Sequence, residues 1–162
     1  MRWLRWPLWF LLVPQAFLVA GWAGESGLPV VDLGALLCLF CALFAEPRLL
    51  PLLLLGMAVG RAIVDEATIP VQILVLGVPV AVLLPLRSLF YRHQLWWQVA
   101  AIALCAVAIP KLAGLCGRWF DQPSASAALD VSRVAWTAAL GPVLLWLLRR
   151  LPPLRQFAER LP

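Results

Sequence analysis

A chain of 162 residues that is 64% hydrophobic and only 13% charged, with a mean hydropathy of +0.93, is too apolar for a water-soluble domain, which runs near half apolar and a quarter charged. The formal charge of +5 comes from basic residues scattered between apolar runs, so it is not the concentrated stripe that reads as a nucleic-acid footprint. What remains is a single integral-membrane domain over residues 1–162, all-α, with the bilayer as its main solvent.

A spanning helix needs about 17–25 apolar residues, so the length predicts about six spans. The first, over 6–22, follows Arg2 and Arg5. Pro7 suits a first helical turn and Pro14 predicts a kink. A signal peptide is the competing reading, for which Gly21-Trp22-Ala23 is a poor cleavage site. A polar turn closed by Pro29 leads to the second span, 30–45, with Asp32 at its start. Glu46-Pro47-Arg48 breaks the pattern before the third span, 49–64. The turn from Asp65 to Pro70 separates it from the fourth, 71–86, which Gly77, Pro79 and Pro85 make irregular. A polar connector, 87–94, contains the chain's single histidine, His93. The fifth span, 95–116, has Pro110 and Lys111 near its far end. A long non-apolar stretch, 117–130, precedes the sixth span, 131–148, and a basic tail.

Six spans put both termini on one side, and basic residues favour the cytoplasmic side. With both termini cytoplasmic, nine of the 13 basic residues lie inside: Arg2, Arg5, Arg48, Arg87, Arg92, Arg149, Arg150, Arg155 and Arg160. Arg61, Lys111, Arg118 and Arg133 lie outside. Tryptophans fall near both boundaries, as in aromatic belts.

The stretch 49–71 is the expected organiser of the chain, because its apolar helix carries Arg61 near one end and stops in Asp65, Glu66 and Pro70. Arg61 and Asp65 are four apart, so they share a helix face and can pair. One reading is a self-neutralising pair at the rim, with Arg61 snorkelling. The other is an outward-facing cluster of Asp32, Arg61, Asp65 and Glu66, with Pro70 closing the turn, that grips a partner. Gly56 and Gly60 form a GxxxG on the same helix, a spacing that permits close helix packing.

The remaining chemistry-bearing residues are sparse. Cys38 and Cys41 form a CxxC, which with Cys105 and Cys116 raises a quinone-linked thiol oxidoreductase. Exchange needs access, yet Cys38 falls about 12 Å below its helix end at 1.5 Å per residue. Cys105 and Cys116 would stand about 16 Å apart on a straight helix, where a disulfide needs Cα atoms within about 7 Å. Small core residues are the competing reading of all four. His93 lacks companions for a metal, and no HExxH, GxSxG or phosphate-loop pattern occurs.

Pro29-Val-Val-Asp32 leading into an apolar span, Gly60-Arg-Ala-Ile-Val-Asp65 followed by a short turn to Pro70, and the nearly loopless layout together resemble the rod shape-determining MreD family. The resemblance implies a six-helix bundle similar to the substrate-binding components of vitamin transporters. It implies a non-enzymatic scaffold of the bacterial inner membrane with no cofactor, contacting membrane lipids and no nucleic acid. Its implied partners are an MreC-like bitopic protein and the wall-synthesis complex, through which it would couple the cytoskeleton to peptidoglycan synthesis. The alternative is a substrate-binding membrane component of a small-molecule transporter, and after it the thiol oxidoreductase.

Overall fold

A computed structural model describes residues 5–26, 31–65, 67–87, 94–122 and 131–150. Among them the fold is an all-α bundle of six helices: α1 (Arg5–Glu25), α2 (Leu33–Phe44), α3 (Leu50–Val64), α4 (Ile69–Leu83), α5 (Gln94–Trp119) and α6 (Val131–Arg150). A 3-10 turn, Pro47–Leu49, joins α2 to α3.

Local chemistry sets the helix ends. Asp32 is the N-cap of α2, and its carboxylate accepts the Ala35 N–H at 3.2 Å. Glu46 takes the extended backbone that a residue ahead of proline favours, and α2 stops before it. Pro51 and Pro70 sit in the first turns of α3 and α4, where a missing N–H costs nothing. α3 ends at Asp65, which turns extended while its N–H still reaches the Arg61 carbonyl at 2.8 Å.

Four helical stretches are long and apolar enough to cross a membrane: Trp6–Gly24, Pro47–Val64, Trp96–Trp119 and Val131–Leu148. The chain is therefore consistent with a multi-pass membrane protein. The second and fourth helices are shorter than the spans expected at 30–45 and 71–86. α2 has 12 residues and α4 has 15, which rise about 18 and 22 Å against a hydrocarbon core of about 30 Å. α2 is short because its helix waits for the Asp32 cap and stops ahead of Pro47. α4 gives way to a turn at Leu84–Leu86, around Pro85.

α2, rather than the 49–71 stretch, is the hub. Every residue from Gly34 to Phe44 is buried, and α3, α4, α5 and α6 all pack on it. Its sequence has no charged or strongly polar side chain to send outward, and Gly34, Ala35, Cys38, Cys41 and Ala42 let neighbours approach closely. A helix buried all round reads as apolar all round.

The 49–71 stretch instead seats α1 on the outside of this hub. Gly56 meets Trp9 and Phe10, Gly60 meets Pro14 and Phe17, and Gly21 meets Val64, so α1 and α3 run parallel. A Cβ at Gly60 would stand 3.0 Å from the Phe17 ring and 3.1 Å from the Pro14 Cα. The Trp9 indole N–H donates to the Leu53 carbonyl at 3.3 Å across the same contact. On the far side, α5 and α6 are joined by a close contact of Gly141 with Ile102.

Candidate functional site

One end of the bundle gathers the start of α2, the end of α3, the start of α4 and the first turns of α6. The core of the site is the carboxylate of Asp65. Its Oδ2 accepts the Arg61 Nε–H at 2.8 Å and the Gln72 side-chain amide at 3.3 Å. Arg61 belongs to the last turn of α3, where a cation also suits the helix dipole. Gln72 belongs to the first turn of α4, so one carboxylate ties the two helices across the intervening turn.

Asp32 anchors the other half. Its backbone N–H donates to the Thr137 hydroxyl at 2.8 Å, and that hydroxyl donates to the Arg133 carbonyl at 2.6 Å. Arg133 Nη2 stands 4.0 Å from Asp32 Oδ1. Gly34 links the halves: a Cβ there would lie 3.2 Å from Asp32 Oδ1 and 3.8 Å from Arg61 Nη1. A larger residue at 34 would push between the two charged groups. Nearer the surface, Gln122 Oε1 accepts both the N–H and the hydroxyl of Thr68, at 2.9 and 3.0 Å.

This arrangement carries two arginines and two aspartates, so it is formally neutral. It also faces inward. The side chains of Arg61 and Asp65 are 9% and 14% exposed, and that of Asp32 is 10% exposed. Both sequence readings put the charges outward, either snorkelling or gripping a partner. The inward packing follows from the partners: Gln72 and Thr137 offer polar groups inside the bundle, and buried charge is stable only when paired and hydrogen-bonded. Arg133, 44% exposed, is the outermost of the four.

The fold thus brings Asp32, Arg61 and Asp65 together. Pro70 is exposed on the first turn of α4, and Glu66 lies outside the described residues. Gly56 and Gly60 are apart from the cluster, against α1. Gln72, Arg133 and Thr137 were not foreseen. Their signals are a lone glutamine in an apolar run and an arginine four residues ahead of a threonine on the last helix.

All four cysteines are free thiols, each no more than 2% exposed. The Cys38 thiol donates to the Leu76 carbonyl at 3.5 Å, and Cys41 contacts the Met57 sulfur at 3.8 Å. Buried thiols are poorly placed for exchange with a soluble partner. His93 lies outside the described residues. Among the described residues no group of three His, Cys, Asp or Glu side chains could hold a metal ion. Comparison with known proteins found no matching family model, no matching curated protein and no matching solved structure.

Proposed function

We propose that this chain is a non-enzymatic scaffold of the MreD kind in a bacterial inner membrane, with both termini cytoplasmic. It would bind a bitopic partner of the MreC kind and help couple the cytoskeleton to peptidoglycan synthesis. The observation that carries the reading is the meeting of two sequence stretches. Asp32 and the Arg61–Asp65 pair, which come from the two stretches on which the resemblance rests, meet at one end of the bundle, with Asp32 and Arg61 on either side of Gly34. The nine-to-four split of basic residues supports the orientation. In this reading the buried charges fix the geometry of the end, and its exposed outer residues, Pro70 among them, meet the partner.

Co-purification tests it. The chain with Asp65→Ala and Glu66→Ala, compared with wild type at matched folded yield, is expected to lose a single-span partner. Undiminished recovery of every partner would remove the reading.

The inward-facing polar cluster favours one alternative, a substrate-binding component of a small-molecule transporter. Such a component retains its ligand when purified alone. Mass spectrometry of small molecules extracted from the purified chain is expected to find none under the scaffold reading. A stoichiometric polar ligand would reverse the preference.

A further inference from the structure

The end of the bundle opposite the polar cluster is charged in a different way. Among the residues there whose side chains are described, Arg48, Arg87 and Arg150 outnumber the one acid, Glu46. Arg48 lies exposed in the 3-10 turn after α2. Arg87 follows α4, and its Nη1 donates to the Ala45 carbonyl at 3.3 Å, so its guanidinium is held at the C-terminal end of α2. The Arg150 guanidinium stacks 3.9 Å from the centre of the Trp146 ring.

The depth of these groups can be read from the α5–α6 contact. Ile102 meets Gly141. Trp96 lies six residues before Ile102 and Trp146 five after Gly141, distances of about 9 and 8 Å along antiparallel helices. The two indoles therefore stand at one level, and both are exposed, Trp96 to 86% and Trp146 to 52%. Exposed tryptophans at one level mark the boundary between hydrocarbon and headgroups, and Arg150 lies one turn beyond Trp146.

We propose that this end is a binding surface for anionic phospholipid. The guanidinium groups of Arg48 and Arg150 take the headgroup phosphates, and the indoles of Trp96 and Trp146 pack at the top of the acyl chains. Arginine forks match phosphate geometry with paired N–H donors. An acidic soluble protein would use the arginines but leave the indole level without a role. At the polar end Arg61 is instead buried and spends its charge on Asp65.

The test offers the purified full chain an equimolar mixture of phosphatidylglycerol and phosphatidylcholine in mixed micelles and reads retained lipid by native mass spectrometry. Phosphatidylglycerol is expected to be enriched several-fold. A basic residue near an anionic lipid surface favours association by about fivefold, so Arg48→Gln with Arg150→Gln is expected to bring retention of the two lipids close to equal. Lys111→Gln, exposed on α5 away from this end, is expected to leave the enrichment unchanged. Arg87 is kept in place because it holds the end of α2. Equal retention of the two lipids by wild type would overturn the proposal, as would undiminished enrichment in the double variant. Displacement of the lipid by millimolar inorganic phosphate would also overturn it, by showing a site for free anions.

Discussion

The two ends of the bundle hold arginines under opposite conditions. At the polar end Arg61 is buried beside Asp65, with Gln72 on the same carboxylate. At the basic end Arg48 and Arg150 stand in the open, and Arg150 rests on an exposed ring. A guanidinium inside a membrane bundle must find a carboxylate within hydrogen-bond reach. One at the headgroup level is satisfied by water and phosphate and leaves its charge available outward. Arg61 is thus structural, whereas Arg48 and Arg150 leave their charge open to the surroundings.

The sharpest way to break this contrast is to remove one partner at the polar end. Arg61→Leu leaves the Asp65 carboxylate buried without its cation, and is expected to cost about 3–5 kcal/mol, read as a fall in thermal or denaturant midpoint in detergent. Removing both, Arg61→Leu with Asp65→Leu, is expected to recover much of that loss. A smaller effect is expected for Thr137→Val, which leaves the Asp32 N–H without its acceptor, at about 1–3 kcal/mol. Gly60→Val tests the contact that seats α1 away from both ends. It forces atoms toward Phe17 and Pro14 and is expected to cost about 1–3 kcal/mol. The smallest effect belongs to the basic end: Arg48→Gln is expected to change stability by less than about 0.5 kcal/mol. A large loss there, or none at Arg61, would erase the distinction between the ends.

Much of this was legible in the sequence, for reasons that single residues make plain. The six helices are punctuated by Asp32, Pro47, Asp65 and Pro70, whose cap and proline chemistry is local. Asp32, Arg61 and Asp65 stood out because charge in an apolar run is costly. Their inward direction was not legible, because it depends on Gln72 and Thr137, neutral side chains whose partners lie 7 and 105 residues away. The length of α2 was overread because apolar residues run on past its ends, whereas α4 has nearly the expected length and begins two residues ahead of the span read at 71–86. α2 alone among the six helices has no charged or amide side chain, which is the mark of all-round burial, but which helices cover it is set by tertiary packing that the sequence does not display. The GxxxG at Gly56 and Gly60 announced a close neighbour but not that the neighbour is α1.

In the proposed reading the polar end, and not the basic end, meets a protein partner. Photocrosslinking in native membranes compares the two directly, with a photoreactive residue placed at Pro70 in one version of the chain and at Trp96 in another. A crosslink from position 70 to a single-span protein, with only lipid captured at position 96, is the result predicted. A protein crosslink from position 96 alone, or lipid alone from both positions, would contradict it.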